Sequence, residues 1–423
     1  MFTDSSAPAM DPDLPESETR PDFNHSSADS TATTNSGSVE TTIAEPIEAE
    51  EARPEATTFE SAASQVTAVA DLPPEQFNSL DELTHDLGSL HELSTRGSWQ
   101  AILEKISQAR ALFLLTKPHE HLTYLTYQVM ALAKLRRSDE AAHELNSLHD
   151  FDGTHYRYES FPEIYPNRKG SMVPFSLRWL YALIPTKLGN RQEGLDRLYT
   201  LLDFVRDRIK EKESQNLDRS VELWKKRETF VMSCLLGFHL GHKEFGISLE
   251  LMKELLNRDP SDPVLISKLG SVQMQFGDIE GAKATFNRVE KMLNEGKSNA
   301  LLNETQFKNL VGRNKALVHV VAKDYVAAVR EYEECIERDN SDAIAVNNKA
   351  LCLMYLRDLL DAIKVMENAL ERVPTAALNE SLVGNLCSMY ELAYVKHTDV
   401  KRTLNNWIAR VAPDDFDSSC TRI

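Results

Sequence analysis

Two stretches of the chain repeat each other at an interval of 34 residues. Residues 314–317 read Asn-Lys-Ala-Leu, and residues 348–351 read Asn-Lys-Ala-Leu again. The match continues downstream, where Asp324, Ala328 and Glu333 return as Asp358, Ala362 and Glu367. A period of about 34 residues is typical of a helix–turn–helix unit whose copies stack side by side, because one unit cannot bury its apolar face alone. The chain is therefore expected to form an elongated helical array rather than a globular domain.

The same frame fits four consecutive units. We assign them to residues 229–262, 263–308, 309–342 and 343–376. The 263–308 unit is longer than the others, and its polar stretch 294–303 can supply the extra residues as a lengthened loop.

Small side chains recur at two positions of each unit. The eighth position holds Leu236, Gly270, Ala316 and Ala350, and the twentieth holds Ser248, Ala282, Ala328 and Ala362. The two helices of a unit cross closely at these points, where a bulky side chain would overpack them. The twenty-fourth position is large in every unit: Met252, Phe286, Tyr332 and Met366. This pattern predicts an all-α solenoid of tetratricopeptide repeats, with Leu236 as its one exception.

Weaker helical patterns flank the four units and extend the array to residues 77–412, with about six or seven hairpins in all. They lie at residues 99–115, 122–148, 175–202 and 379–411. The charged insertion 203–228 is expected to lengthen one helix pair and to bury Trp224 against the following repeat. Residues 413–423 are assigned as a C-terminal tail.

Residues 1–76 differ from the rest of the chain in composition. They hold sixteen Asp and Glu against Arg20 and Arg53, a net charge of −14, so the remaining residues carry −4 of the total of −18. Few of these residues can build a core, and the sequence predicts a disordered acidic leader, either a plain solvated segment or a recognition segment. The nearly neutral body argues against nucleic acid as a main partner.

The sequence indicates a cytoplasmic chain. Met1 and the acidic residues after it do not form a signal peptide, and the longest apolar stretch, around 230–240, is too short to span a bilayer. The five cysteines have no CxxC spacing. Cys420 lies four residues from the end, but Arg422 breaks the aliphatic pattern of a prenylation motif. The terminal Thr421-Arg422-Ile423 could alternatively enter a PDZ-like groove.

The residues with chemical potential do not form a catalytic pattern. Residues 296–298, Gly-Lys-Ser, lack the first glycine and the preceding strand of a phosphate loop. The histidine pairs His119/His121 and His239/His242 lack the spacing or the third ligand of a metal site. We therefore predict no catalytic residue, no cofactor and no metal, and expect a scaffold rather than an enzyme.

One segment interrupts the helical pattern. Residues 151–172 contain five Phe and Tyr residues, two prolines and two glycines, with no helical period. Because disordered segments are poor in aromatic residues, an ordered loop is expected. It either docks a partner or plugs the solenoid. The candidate partner-binding residues in this loop are Tyr158, Phe161, Tyr165 and Arg168.

Two further candidates lie on first helices of successive repeats. Co-chaperone adaptors grip a peptide carboxylate with Lys, Arg and Asn at such positions. Arg313 and Asn347 occupy one of these positions, but Ser233 and Ser267 stand at the equivalent places upstream. A free co-chaperone-like adaptor that binds peptide tails is therefore the alternative function.

Several motifs resemble a known family. They are PEIYPNRKGSMVPFSLR at 162–178, GNRQEGLDRLY at 189–199, Gly-Asp-Ile at 277–279 and NLCSMYEL at 385–392. These runs are similar to the subunit 12 family of the TRAPP (trafficking protein particle) vesicle-tethering complex. The similarity covers roughly residues 112–392 and includes the aromatic loop, which generic tetratricopeptide proteins lack.

The resemblance implies a non-enzymatic scaffold. Such a subunit would join peripheral subunits of the complex to its core, in ER-to-Golgi transport and autophagy. Its partners would be other subunits of the tethering complex and, indirectly, a Rab-family GTPase that those subunits activate. The chain would then associate with ER–Golgi or Golgi membranes only through its partners.

Overall fold

The computed structural model describes residues 87–148, 150–296 and 302–423. The acidic leader 1–76 lies outside the described residues, as do Lys297 and Ser298 of the phosphate-loop-like run. Within the described residues the chain forms seventeen α-helices and three short 3₁₀ turns, and no strand beyond one isolated bridge. The predicted all-α, tetratricopeptide-repeat fold is confirmed.

The helices are α1 (Leu87–Arg96), α2 (Trp99–Ala111), α3 (Pro118–Lys134), α4 (Ser138–Asn146), α5 (Phe175–Lys187), α6 (Arg191–Ser214), α7 (Asp218–Gly241), α8 (Phe245–Arg258), α9 (Pro263–Gln275), α10 (Ile279–Asn294), α11 (Glu304–Val321), α12 (Tyr325–Arg338), α13 (Ala343–Tyr355), α14 (Leu359–Arg372), α15 (Pro374–Ala377), α16 (Glu380–Ala393) and α17 (His397–Val411).

These helices pair into eight hairpins in the described residues, where the sequence predicts six or seven. Hairpins one to seven are the successive pairs from α1–α2 to α13–α14, and hairpin eight is α16–α17. The short α15 links the last two hairpins. Hairpin one is completed by α1, a helix of only ten residues whose apolar pattern is too short to predict from sequence. Proline starts α9 and α15, where the missing N–H costs no helical hydrogen bond.

The small positions lie where the helices cross. Ala316, Ala328, Ala350 and Ala362 are fully buried. A Cβ atom built on Gly270 would lie 2.4 Å from the Cε1 atom of Phe286, the large residue at the twenty-fourth position of the same unit. Only glycine leaves room for that ring, so the repeat pattern reports a real steric requirement.

The charged insertion lengthens hairpins three and four. Both α6 and α7 are 24 residues long. The Trp224 ring is buried as expected, but it packs edge-on against Phe175 and Phe204, which belong to the preceding hairpin. These ring contacts join Trp224 to the preceding hairpin, and the same buried cluster includes Leu251 and Leu255 of the following repeat, on which the sequence predicts that Trp224 packs. The extra turns of α7 lie along α6, so the Trp224 ring contacts side chains of hairpin three.

A buried carboxylate joins the long helices to α8. The carboxylate of Glu228 on α7 accepts from Arg206 at 2.8 Å and from Arg258 at 2.6 Å. These hydrogen bonds outweigh the burial, which alone would raise the pKa of Glu228, so its pKa lies below the usual range. The charge is paired on both sides, as a buried carboxylate requires.

The turns inside the hairpins share one geometry. In hairpins one to seven the residue after the helix C-cap adopts a left-handed conformation. These residues are Gly97, Arg136, Gly189, Lys243, Gly277, Lys323 and Arg357. Since hairpins stack side by side, their internal turns line the same edge of the array, which we call the turn edge.

The C-terminal residues bring the two ends of the array together. The Asp414 carboxylate accepts from the Gln100 N–H at 2.9 Å, and the Asp414 N–H donates to the Gly97 carbonyl at 3.3 Å. Lys134 donates to Asp415 at 3.1 Å. Residues more than 280 positions apart are thus in direct contact.

Arg136 is the centre of this contact. Its guanidinium pairs with Glu380 at 3.0 Å and also with Asp417. We call the contacts of residues 413–417 with hairpins one and two the end contact. The array is closed on itself, and residues 413–417, assigned from sequence as a tail, form part of the folded body.

The Gly270–Phe286 contact leads to a matched pair of glycine substitutions. Gly270→Ala should lower the free energy of unfolding by about 1–3 kcal/mol, because the new methyl group displaces a packed ring. Gly246→Ala, on α8 with nothing within 4 Å of the added methyl, should leave stability unchanged or slightly higher. Urea unfolding followed by circular dichroism measures both. Equal midpoints for Gly270→Ala and the parent would contradict the close crossing.

The end contact can be tested by reversing one charge. Arg136→Glu places a carboxylate against Glu380 and Asp417, so hydrogen exchange should quicken at the amides of Gln100 and Asp414. Arg137→Glu is the control, because it changes the charge equally and Arg137 pairs with Glu140 of the adjoining helix α4 rather than with residues 413–417 in the described part of the chain. Amide hydrogen exchange followed by mass spectrometry measures the protection in both variants. Protection at Gln100 and Asp414 that survives Arg136→Glu would show that ion pairs do not hold the ends together.

Candidate partner-binding sites

The aromatic loop is an ordered excursion between α4 and α5. Two 3₁₀ turns, Thr154–Tyr156 and Tyr158–Ser160, follow one another, and Arg157 forms an antiparallel bridge with Ser171. The Met172 N–H donates to the Tyr156 carbonyl at 2.7 Å, and the Tyr158 N–H donates to the Gly170 carbonyl at 3.0 Å. These bonds close the base of the loop and satisfy backbone groups that a loose loop would leave to water.

The loop turns two of its tyrosines inward. Tyr158 and Tyr165 are 3% and 6% exposed, and their rings meet edge-on at 5.0 Å. The Tyr165 hydroxyl lies 2.6 Å from Nδ1 of His119 at the start of α3. Burial lowers the pKa of His119 and raises the pKa of Tyr165. The two side chains hold the loop on the core of hairpins one and two.

The other two loop candidates are less buried. Phe161 is half-buried and packs on the rim of the same core. Arg168 places its guanidinium 5.4 Å from the centre of the Tyr158 ring, a cation–π contact. Ile164 and Lys169 are exposed between them. The surface that the loop offers to a partner therefore consists of its rim and not of its tyrosines.

A buried arginine ties the loop to the next hairpin. Arg178 on α5 donates to the Phe151 carbonyl at 3.1 Å and to the Asp152 carboxylate at 2.9 Å. Its guanidinium also lies 4.4 Å from the centre of the Phe204 ring. Burial lowers the pKa of Arg178, and the Asp152 carboxylate opposes that effect. Arg178 lies at the end of the PEIYPNRKGSMVPFSLR run, so that motif contains the second half of the loop and the residue that holds the start of the loop on α5.

Arg313 lies in a polar cluster within hairpin six. Its guanidinium pairs with Asp342, the N-cap of α13. Asn309 donates to the same carboxylate at 3.0 Å and to the Cys335 carbonyl at 2.9 Å. Asp342 also accepts from the Ala345 N–H at 3.0 Å. The cluster joins hairpins six and seven, and within it the guanidinium of Arg313 already has a carboxylate partner.

Asn347 is similarly engaged. Its Oδ1 accepts from Asn385 of α16 at 2.8 Å, and its Nδ2 donates to Asn348 at 3.1 Å. Asn385 opens the NLCSMYEL run. Arg313 and Asn347 thus bridge neighbouring hairpins, and the structure does not bring them together into one grip. The function of all six candidates in partner binding stays a prediction.

The described residues contain no group of three or more His, Cys, Asp or Glu able to hold a metal ion. A cleft of about 220 Å³ between α4 and α5 is smaller than a usual ligand pocket. No helix in the described part of the chain is long and apolar enough to cross a membrane.

The extreme C-terminus is held in place. Lys401 is 2% exposed, and its ammonium group donates to Glu391 at 2.7 Å and to the Arg422 carbonyl at 3.0 Å. Thr421 is buried. Burial raises the pKa of the Cys420 thiol to about 12. Strand addition at Thr421 or modification at Cys420 would each require this end to detach first.

Sequence reasoning missed the residues of the end contact. Gln100, Lys134, Arg136 and the acids of 413–417 show no motif and no shared period, and they are separated by nearly the whole array. The acidic run Pro-Asp-Asp-Phe-Asp was the only available signal, and it resembles many solvated tails.

Two curated relatives match this chain. Trafficking protein particle complex subunit 12 of Homo sapiens is 32% identical over 307 residues, which cover 69% of this chain and 41% of the human protein. The subunit of the same name from Mus musculus is 30% identical over 306 residues, covering 69% of this chain and 38% of the mouse protein. The matched part thus spans less than half the length of either relative. No protein-family model matches the chain.

Solved structures show only distant likeness. A tetratricopeptide repeat protein from Parabacteroides merdae is 12% identical, with a TM-score of 0.38, covering 77% of this chain and 96% of that chain. The apo form of the quorum sensor NprR from B. thuringiensis is 14% identical, with a TM-score of 0.40, covering 83% of this chain and 96% of that one. Neither likeness carries a functional argument.

Replacing a buried loop tyrosine should lower the stability of the folded chain. Tyr158→Ala removes a buried ring beside Tyr165 and should lower the free energy of unfolding by about 3 kcal/mol. Ile164→Ala, on the exposed rim of the same loop, should change it by less than about 0.5 kcal/mol. Thermal melting compares the two proteins. A parent-like melting temperature for Tyr158→Ala would show that the loop does not stabilise the core beneath it.

Proposed function

Because the resemblance to trafficking protein particle complex subunit 12 is confirmed over 307 residues, we propose that this chain is a scaffold subunit of a TRAPP-like vesicle-tethering complex. The observation that carries the proposal is this match, which spans most of the solenoid. The proposal covers the repeat region of such a subunit, since the match reaches only 41% of the human relative.

The fold supports an adaptor role. Eight stacked hairpins present a long surface on which several partners can bind at separate places, and such arrays generally hold proteins rather than substrates. Polar clusters such as the one around Asp342 join neighbouring hairpins. A rigid array of this kind fixes the distance between two bound partners, as an adaptor must.

The chemistry of the complex is assigned to other subunits. We propose that this chain acts in ER-to-Golgi transport and in autophagy, and that it supports activation of a Rab-family GTPase without contributing catalytic residues. It would be cytoplasmic and would reach ER–Golgi or Golgi membranes through its partners.

The aromatic loop is proposed as one docking element. Tyr158 and Tyr165 keep it in shape from below, while Phe161 and Arg168 lie at its rim. Aromatic and arginine side chains at a rim surrounded by ordered backbone are the kind that contribute most to interfaces. The loop would then have both expected functions: its buried tyrosines would cover the core of hairpins one and two, and its rim would dock a partner.

The co-chaperone alternative finds no support in the geometry. A carboxylate grip needs free cations and amides on one face. Arg313 pairs with Asp342, and the Asn347 amide is bonded to Asn348 and Asn385. A peptide tail would have to displace both sets of contacts.

Co-purification tests the proposed function. The tagged full chain, expressed at its natural level in its own cells, should co-elute from gel filtration at high molecular weight with stoichiometric subunits of a tethering complex. Recovery of heat-shock proteins in place of those subunits would support the co-chaperone function instead. Elution as a free monomer would contradict both.

A double substitution separates the loop's docking function from its structural one. Phe161→Ala with Arg168→Glu changes the rim and leaves the buried tyrosines in place, so the chain should melt within a few degrees of the parent but leave the large complex. Leu392→Ala with Arg372→Glu is the control, because it also removes an exposed apolar side chain and reverses one charge, at positions outside the loop and the turn edge. If the loop variant still co-elutes with its partners, the loop rim does not dock them.

A further inference from the structure

A row of exposed apolar side chains lies along the turn edge of hairpins four to seven. Its members are Ile247, Phe276, Val326, Tyr355 and Leu360, each 44–61% exposed. A single exposed apolar residue is ordinary on a protein surface. These five, however, all come from within a few residues of the internal turns, and stacking places those turns side by side.

Ring contacts show that neighbouring turns touch. Phe245 and Phe276, from hairpins four and five, meet edge-on at 4.9 Å. Tyr325 and Tyr355, from hairpins six and seven, stack at 5.0 Å with 10° between their planes. Apolar side chains therefore meet across the boundary between hairpins four and five and across the boundary between hairpins six and seven.

Cations accompany the apolar row. Lys243, Lys323 and Arg357 hold the left-handed turn position of hairpins four, six and seven, and all three are exposed. A non-glycine residue is strained in this conformation, and glycine would avoid that strain. Favourable interaction with the helix C-terminus offsets part of that cost. None of the ion pairs in the described part of the chain involves these three side chains.

The equivalent residue of hairpin two shows what such a cation can bind. Arg136 has the same left-handed turn position, and it pairs with Glu380 and Asp417. The segment that lies on this part of the turn edge is 413–417, Pro-Asp-Asp-Phe-Asp. The turn edge of hairpins one and two is thus already covered by an acidic segment that contains an aromatic residue.

Acidic residues on the same edge are turned toward the helices. The carboxylates of Asp278 and Asp324 accept from the N–H groups of Gly281 and Ala327, at 3.0 and 3.1 Å, and so cap α10 and α12. At hairpin seven, however, Asp358 lies next to Arg357, is exposed and makes no side-chain cap bond. The cations whose neighbouring carboxylate is already engaged are therefore Lys243, beside Glu244, and Lys323, beside Asp324. The surface is therefore complementary to an anionic, partly apolar chain.

We propose that the turn edge of hairpins four to seven binds an acidic, extended segment of a partner protein. Its carboxylates pair with Lys243, Lys323 and Arg357, and its apolar side chains pack against Phe276 and Tyr355. Neighbouring hairpins pack about 10 Å apart, and an extended chain advances about 3.3 Å per residue. A partner segment with one carboxylate in about every three residues would then place a carboxylate beside each successive turn. This inference rests on the proposed adaptor function and names the chemistry of one partner.

A peptide that copies the chain's own segment is the probe. It consists of three copies of Ala-Pro-Asp-Asp-Phe-Asp, residues 412–417, with a fluorescein label. Anisotropy should show binding to the full chain, and the affinity should fall as salt rises, because ion pairs at an exposed edge are screened. A peptide with every Asp replaced by Asn should bind much more weakly. No binding of the acidic peptide at low salt would overturn the proposal.

Charge reversal locates the site. Lys243→Glu, Lys323→Glu and Arg357→Glu together should weaken binding about tenfold or more, since three exposed pairs are lost and become repulsive. Lys210→Glu, Lys226→Glu and Lys308→Glu change the net charge equally on helix bodies and should leave binding near that of the parent. Phe276→Ser with Tyr355→Ser should weaken binding without any change of charge. Circular dichroism confirms that each variant is folded.

Two outcomes would place the site elsewhere. Equal loss in the edge and control variants would show attraction by overall charge only. Loss in Arg136→Glu with full binding in the edge variant would show that the peptide competes with residues 413–417 at hairpin two. Both would overturn the proposed edge. Failure of the full chain to co-purify with tethering subunits, with peptide binding intact, would instead contradict the proposed function alone.

Discussion

The close crossing of helices at small residues is the constraint on which the array depends. Gly270 admits the Phe286 ring because it has no Cβ, and the alanines at 316, 328, 350 and 362 fill the same role in the later hairpins. A hairpin packed in this way still leaves one apolar face open, and only the next hairpin can cover it. Regular stacking, the shared turn edge and the bridging polar clusters all follow from that requirement.

Closure of the array is a separate property from stacking. Stacking fixes how each hairpin packs on the next one. The end contact instead joins residues 413–417 to hairpins one and two, at the opposite end of the array. Its contacts are mostly ionic and half-exposed, so each contributes little alone. Together with the backbone bonds between Gly97 and Asp414 they determine whether the molecule is a closed or an open array.

The proposed adaptor function divides the surface into parts with different chemistry. The aromatic loop covers the core of hairpins one and two and offers a mixed aromatic and basic rim. The turn edge of hairpins four to seven offers apolar side chains with cations. The residues expected to grip a carboxylate, Arg313 and Asn347, instead hold hairpins together. The two proposed binding surfaces thus lie at the edges of the array, where side chains are not needed for stacking.

The sequence by itself determined the repeat, because steric requirements at the crossings recur every 34 residues and leave a periodic record. It also indicated an ordered aromatic loop, since such a ring-rich segment cannot remain in water without cost. It could not determine which rings of that loop face inward: Tyr158 and Phe161 look alike in sequence, and only their position over α3 and α5 separates them.

Tertiary structure alone decided the packing direction of Trp224, the pairing of Arg313 and Asn347, and the end contact. Each depends on which helices become neighbours after many small rotations between hairpins have accumulated. No local sequence pattern records these accumulated rotations. The acidic segment 413–417 therefore looks like a solvated tail in the sequence, although in the fold it joins the two ends of the array.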